Sequence, residues 1–133
     1  MSGGYSYSKY SLSKYSFQVM SVFFETDESL TSSDIDKRLK PSWSEKTLHS
    51  ILSSLVAKGY IEIDGEKKIG RYTFRTYRKK ISIEDYNAKI VMETYSKAGQ
   101  EINIKRFISA LTDVYSKEVN EEVRRRFLGE KDE

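Results

Sequence analysis

The spacing of apolar positions predicts three helices in the first half of the chain. Between residues 13 and 26 the apolar side chains of Phe17, Met20, Phe23 and Phe24 recur at helical spacing, which indicates a buried first helix. A short second helix is expected to begin after the N-cap Thr31 and to end before Pro41, which disfavours helical geometry in the residue preceding it. A third is expected to run from the N-cap Ser44 to Gly59, which suits the position just past a helix.

The third predicted helix has two different faces. Its apolar face consists of Leu48, Ile51, Leu52, Leu55 and Val56. The opposite face consists of Glu45, Lys46, Thr47, His49, Ser50, Ser53 and Ser54. These side chains are mostly small or polar, whereas an ordinary solvated helix carries mainly long charged ones. The polar face therefore suits close contact with a binding partner.

A β-hairpin is predicted after the third helix. Residues 60–63 alternate in the manner of a strand, Asp64–Gly65 is a typical turn pair, and residues 68–76 supply an alternating partner strand. In this interpretation residues 66–68, with the sequence EKK, lie at the hairpin tip. Two short helices, a third helix with a polar outer face and a basic hairpin, in this order, are typical of a winged helix-turn-helix.

The rest of the chain is predicted to be helical. One helix is expected from Ser82 to Lys97, a second from Asn103 to Tyr115, and a last one from Ser116 to Gly129. The last two carry an apolar stripe, which we call the C-terminal stripe, made of Ile104, Phe107, Ile108, Leu111, Val114, Val119, Val123 and Phe127. Since the stripe lies outside the winged-helix core, it is either a dimer seam or the core of a helical subdomain.

The composition favours a binding protein over an enzyme. A chain of 133 residues with 38% hydrophobic residues fits one domain, or a small DNA-binding unit with a dimerisation element. With no cysteine and one histidine, little is available for a metal site or a hydrolytic triad, so neither catalytic residues nor a metal or cofactor is expected. A cytoplasmic location is predicted, because no apolar run approaches about 20 residues and the start lacks the apolar centre of a signal peptide.

The positive charge is concentrated in the middle of the chain. The net charge of +3 is too small to indicate a nucleic-acid partner by itself. Residues 31–80, however, contain twelve Lys or Arg against six Asp or Glu, whereas residues 81–133 contain nine against eleven. The excess of positive charge therefore belongs to the segment that holds the predicted helix-turn-helix and hairpin.

Four segments resemble the penicillinase-repressor family, which includes BlaI, MecI and CopY. They are WSEKTL at 43–48, LVAKGYI at 55–61, KIGRY at 68–72, and FQVM at 17–20, where the family usually has tryptophan as the aromatic residue. The resemblance extends over roughly residues 12–128. It implies a homodimer whose winged helices occupy two half-sites of an inverted repeat in double-stranded DNA. It also implies repression by occlusion of a promoter, with the C-terminal stripe as the dimer seam.

Two modes of induction in that family do not fit this sequence. The copper-responsive branch binds metal through C-terminal Cys-x-Cys motifs, and this chain has no cysteine. The β-lactam-responsive branch is cleaved at an Asn-Phe bond within its dimerisation helices, where this chain has FISALT at residues 107–112. Neither copper induction nor cleavage at that point is therefore expected.

The predicted fold is mainly α with a small β-hairpin. We expect a disordered arm over residues 1–11, a winged-helix DNA-binding domain over 12–80, and a helical dimerisation region over 81–133. The predicted recognition residues are Ser44, Lys46, Thr47, His49 and Ser50, and those of the wing are Lys67, Lys68 and Arg71. The main alternative is a winged helix that serves as a protein–protein interaction module without specific DNA binding.

Some roles stay open at the level of sequence. His49 could donate a hydrogen bond to a base or to a phosphate, or simply face water. Four further cations, Arg75, Arg78, Lys79 and Lys80, lie along and after the second predicted strand. They either extend the phosphate contacts or keep an edge strand soluble, and the sequence alone does not separate these two roles.

Overall fold

The computed structural model describes residues 10–127 as five helices and one antiparallel hairpin. The elements are α1 (Lys14–Phe24), α2 (Ser32–Leu39), α3 (Glu45–Ala57), β1 (Ile61–Ile69), β2 (Tyr72–Lys79), α4 (Ile83–Lys97) and α5 (Ile104–Phe127). Their order confirms the predicted fold class, a mainly α chain with a winged helix-turn-helix. Most of the predicted N-terminal arm, residues 1–9, lies outside the described residues.

Contacts between backbone positions divide the chain into two compact units. The first, which we call the winged-helix unit, is Met1–Glu93, and the second, which we call the C-terminal unit, is Thr94–Glu133. The division falls inside α4, because the first half of that helix supplies Tyr86 to the core of the winged-helix unit. Within residues 10–127 no helix is both long enough and apolar enough to cross a membrane.

Side-chain caps fix where α2 and α3 begin. The Thr31 hydroxyl accepts a hydrogen bond from the Asp34 N–H at 3.1 Å, and the Asp34 carboxylate accepts one from the Thr31 N–H at 2.9 Å, which completes a capping box. The Ser44 hydroxyl accepts a hydrogen bond from the Thr47 N–H at 3.2 Å. Both helices therefore begin where the sequence predicts.

The core of the winged-helix unit lies where α1, α2, α3 and the base of the hairpin meet. Its fully buried members include Phe23 of α1, Ile35 of α2 and Leu52 of α3. Phe17, which the helical spacing assigned to the buried stripe of α1, is instead 40% exposed. Its ring lies at the margin of the core, where its neighbours are the rings of Phe24 and Tyr86.

The hairpin differs from its predicted form. The predicted turn at Asp64–Gly65 is wrong, because β1 continues to Ile69 and the chain turns at Gly70–Arg71. Ile63 pairs with Tyr77 and Gly65 pairs with Thr76, so Asp64 is the extra residue of a β-bulge. Residues 66–68 consequently lie along β1 and not at the tip.

The bulge is held by the side chain of Asp64. Its carboxylate accepts hydrogen bonds from the Thr76 hydroxyl, at 2.6 Å, and from the Ser29 hydroxyl. Leu30, next to Ser29, forms an isolated bridge with Tyr77, with two backbone hydrogen bonds of 2.8 Å. These contacts join the loop between α1 and α2 to the base of the wing.

The C-terminal unit contains one long helix where two were predicted. Asn103 caps α5 by accepting a hydrogen bond from the Arg106 N–H at 3.0 Å, as its position predicts. The helix then passes through Ser116 without interruption and reaches Phe127. No glycine or proline occurs in the 24 residues of α5, and a single serine weakens a helix too little to end it.

Candidate nucleic-acid interface

The outer face of α3 is held in place by its inner face. Leu48, Ile51, Leu52 and Leu55 are buried in the core of the winged-helix unit. All of the predicted recognition residues lie on the other side: Ser44, Lys46, His49 and Ser50 are exposed, and Thr47 is half-buried. The structure therefore presents these five residues together, at the N-terminal end of α3.

Two of these residues are also used to build the helix. The Ser44 hydroxyl lies 3.1 Å from the Thr47 hydroxyl, in addition to accepting the Thr47 N–H. These contacts orient both hydroxyls at the start of α3. Among the described residues, none forms a side-chain hydrogen bond or ion pair with Lys46, His49 or Ser50, which leaves these three side chains open to an external partner.

The three predicted wing cations are exposed but do not form one cluster. Lys67 and Lys68 are neighbours in β1, and Arg71 lies in the turn between the strands. Successive residues of a strand point to opposite faces, so Lys67 shares a face with its pairing partner Phe74, and Lys68 shares the other face with Thr73. The wing is therefore positively charged on both faces.

Two carboxylates near this surface are engaged internally. Hydrogen bonding from the Thr31 backbone N–H lowers the pKa of Asp34, and the nearby charges of Lys67 and Arg38 act in the same direction. Hydrogen bonds from the Ser29 and Thr76 hydroxyls lower the pKa of Asp64. Both groups stay ionised at neutral pH, and the hydrogen bonds that stabilise their charge come from the protein itself.

The structure distinguishes two of the four cations whose role the sequence left open, Lys79 and Arg75. The Lys79 ammonium lies 3.2 Å from the Asp27 carboxylate and donates to the Phe24 carbonyl at 3.5 Å, so it links β2 to the end of α1. Arg75 instead lines an open cleft between the three-helix body and β2, which we call the Arg75 cleft. Its lining residues are Ser32, His49, Thr73, Phe74, Arg75 and Tyr77. Sequence reasoning did not select Arg75, Ser32 or Thr73 as site residues.

Most of the C-terminal stripe is exposed. Ile104, Ile108, Leu111 and Val114 are each 54–56% exposed, and Val119 and Val123 are 39% and 45% exposed. Phe107 differs, because it is half-buried and its ring packs edge-on against Tyr95 of α4, with 6.3 Å between the ring centroids. The side chain of Phe127 lies outside the described part of the structure.

The same side of α5 also carries residues that the apolar pattern did not select. Tyr115 is 69% exposed and lines a groove with Leu111, Val119 and Glu118. Further along this groove the Glu122 carboxylate accepts hydrogen bonds from the guanidinium groups of two arginines, at 3.0 Å from Arg125 and 2.8 Å from Arg126. The C-terminal half of the stripe is therefore a mixed apolar and charged surface.

Within residues 10–127, no three histidine or acidic side chains are grouped so that they could hold a metal ion.

No curated protein is significantly similar to the chain. One similar solved structure comes from work on peroxide sensing and gene regulation by PerR from Streptococcus pyogenes, with a TM-score of 0.42, 17% identity, and coverage of 70% of this chain and 74% of that one. Another, of GAS PerR-Zn-Zn, has a TM-score of 0.42, 16% identity, and coverage of 70% and 69%. Similarities of this size say nothing further about function.

The family comparison is decisive, because it spans almost the whole described chain. The model of the penicillinase repressor family matches residues 12–127, which include the winged helix, α4 and α5. This match confirms the family resemblance found in the sequence. The chain therefore belongs to the penicillinase repressor family of DNA-binding transcriptional repressors.

Proposed function

We propose that this repressor binds, as a homodimer, an operator made of two half-sites in inverted repeat, and that it represses by occluding a promoter. The observation that carries the proposal is the exposure of the C-terminal stripe on a helix of 24 residues, in a chain whose winged-helix unit also exposes the polar face of α3. A helix of this length extends about 36 Å. An exposed apolar surface of that extent favours association with a second copy.

In the proposed dimer the C-terminal stripe of one subunit would pack against the same stripe of the second subunit. A two-fold axis brings the same patch of both subunits together, and the stripe runs along most of α5. Full burial of an aliphatic side chain such as Leu111 stabilises an assembly by about 1.5–3 kcal/mol relative to its exposed state. Several such side chains suffice to offset the loss of free motion on association.

In the DNA complex α3 would lie in the major groove with its N-terminal end toward the bases. Lys46 would donate to guanine O6 or N7 or to a phosphate, and the short side chains of Thr47 and Ser50 allow close approach to base edges. Ser44 would lie at the same end of the helix. Because the two copies of α3 are related by the two-fold axis of the dimer, the half-sites are inverted and their centres lie about 10 base pairs, or a multiple of this, apart.

The wing would contact the phosphate backbone. Lys67 and Lys68 lie on opposite faces of the hairpin and Arg71 lies at its turn, so a wing placed at a groove can reach phosphates on both of its walls. Each phosphate that is neutralised contributes about −0.9 to the slope of log affinity against log salt concentration. We therefore expect binding that weakens steeply with salt.

The experiment that tests this proposal is a selection of random duplex DNA by the purified full-length protein, followed by titration of the selected sequence at two salt concentrations. We expect an enriched inverted repeat and an affinity that falls with salt. Reversing the charges of Lys67, Lys68 and Arg71 should then abolish most of the affinity. Absence of an enriched motif would refute the operator proposal and would favour a protein partner for the polar face of α3.

A further inference from the structure

The Arg75 side chain is a cation held in a concave position without an acidic partner. It is exposed, and it lines the Arg75 cleft together with His49 of α3. Among residues 10–127 no carboxylate lies within ion-pairing distance of its guanidinium. The cleft is therefore lined both by a cation of the wing, Arg75, and by a residue of the recognition helix, His49.

The alternation of side chains along β2 explains why Arg75 lines the cleft and Arg78 does not. Tyr77 is buried, and alternation along β2 places Arg75 on the same face as Tyr77 and Arg78 on the opposite face. The bulge lies in β1, so it does not interrupt this alternation in β2. Arg75 therefore shares the face of β2 that carries the buried Tyr77 and lines the cleft, and Arg78 lies on the other face. Each has a glutamate opposite it in β1, Glu66 for Arg75 and Glu62 for Arg78, and among residues 10–127 neither guanidinium lies within 4.0 Å of a carboxylate.

The other polar side chains of the cleft can each donate a hydrogen bond. Ser32 and Thr73 contribute hydroxyl groups, and His49 contributes an imidazole ring. A guanidinium group surrounded by hydroxyl and imidazole donors matches the tetrahedral oxygens of a phosphodiester.

We propose that the Arg75 cleft binds one phosphodiester of the DNA backbone, with Arg75 as the main donor and Ser32, Thr73 and His49 as further donors. This inference rests on the proposed function, since it assigns a further contact to the same DNA-binding surface. It also assigns His49 to the backbone, and it leaves the bases to Lys46 and Ser50. Lys46 and Ser50 are four residues apart and share one side of α3, whereas His49 lies on the side that reaches the cleft.

The test compares Arg75→Ala with Arg78→Ala in the full-length protein. The two variants remove the same exposed side chain from the same strand, but only Arg75 lines the cleft. The affinity of each is titrated over a range of salt concentrations with the selected operator and with a scrambled duplex of equal length. For a dimer we expect Arg75→Ala to reduce the magnitude of the salt slope by about 1.8, since each subunit loses one contact worth about 0.9. Arg78→Ala should leave the slope unchanged.

The double variant tests whether Arg75 and His49 share one phosphate. His49→Gln should weaken binding to operator and scrambled duplex by the same factor, because phosphates carry no sequence information. His49→Gln combined with Arg75→Ala should weaken binding less than the product of the two single effects. These results together would support a shared phosphate.

Two results would overturn the inference, and both leave the proposed function standing. One is a salt slope for Arg75→Ala equal to that of the wild type. The other is a change of base preference at one operator position in His49→Gln, which would assign His49 to a base. If instead the wild-type protein binds no duplex in a salt-dependent manner, the proposed function itself fails and this inference fails with it.

Discussion

The two units of this protein use the same kinds of apolar residue at the same helical spacing, with opposite results. In the winged-helix unit Phe23 and Leu52 are fully buried, because three helices and a hairpin surround them. In the C-terminal unit Leu111 and Val114 are more than half exposed, because a single helix cannot enclose its own apolar side. A periodic pattern therefore predicts which side of a helix seeks burial, and the topology decides whether the burial occurs within the chain or between two chains.

The largest expected effect comes from placing charge in the C-terminal stripe. Leu111→Asp combined with Val119→Asp should convert the proposed dimer to a monomer, because unpaired carboxylates would have to be buried in the seam. A monomer binds one half-site without its linked neighbour, so operator affinity should fall by a factor of about 10²–10⁴. Sedimentation measures the oligomeric state, and titration with the selected operator measures the affinity.

Ser109→Asp is the matched control for that variant. Ser109 is exposed and none of the residues three or four positions from it belongs to the stripe, so its change adds the same kind of charge outside the proposed seam. It should leave both the dimer and the operator affinity intact. A stripe variant that still sedimented as a dimer would disprove the assignment of α5 to the dimer interface.

A second pair of variants compares the two units through folding stability. Leu52→Ala removes a fully buried side chain and should lower the free energy of unfolding by about 2–5 kcal/mol at any protein concentration. Leu111→Ala should lower it only at concentrations where the wild type is dimeric, since the free energy of assembly depends on concentration. Urea unfolding of both variants and the wild type at two protein concentrations shows which loss of unfolding free energy depends on concentration. A loss for Leu111→Ala that does not vary with concentration would mean that the stripe is buried within one chain.

The sequence was sufficient to predict those parts of the fold that are set by local signals. The caps at Thr31, Ser44 and Asn103 each predicted the start of a helix, because a hydroxyl or amide that binds backbone N–H groups acts within three residues. The hairpin turn was misplaced because Asp64–Gly65 suits a turn and a bulge equally well. Only the pairing of Tyr77 with Ile63 and Leu30 decides between them, and that pairing is a tertiary contact.

Residues of the candidate interface could be predicted from the sequence only where they all belong to a single helix or strand. The polar side of α3 follows from helical periodicity, and the structure presents its predicted residues together. The Arg75 cleft could not be predicted, since it needs the register of β2 against the three-helix body. Lys79 would have been an equally good candidate without its contact to Asp27, which joins residues 52 positions apart.

Low pH should reduce the folding stability of the winged-helix unit by protonating two hydrogen-bonded carboxylates, those of Asp34 and Asp64. Because hydrogen bonds lower the pKa values of Asp34 and Asp64 in the folded state, the stability they contribute is present above their usual pKa and is lost as the pH falls below about 4. Asp64→Asn should reduce this loss and cost about 0.5–1 kcal/mol at neutral pH. Urea midpoints at pH 3 and pH 7 measure both effects, with Asp36→Asn, an exposed site, as the control. Equal pH dependence in Asp64→Asn and wild type would show that the bulge contacts do not contribute.

The smallest expected effect tests whether the two units can be changed independently. Lys40 follows α2 with a φ of 47°, in the left-handed region where a side chain is unfavourable and glycine is not. Lys40→Gly should therefore stabilise the winged-helix unit by about 0.5 kcal/mol, after allowance for the greater freedom of glycine in the unfolded chain. Because Lys40 lies far along the chain from α5, the dissociation constant of the dimer should not change. Urea unfolding and sedimentation of the same variant provide the comparison, and a shift in the dimer constant would mean that the folding of the winged helix and the pairing of α5 are coupled.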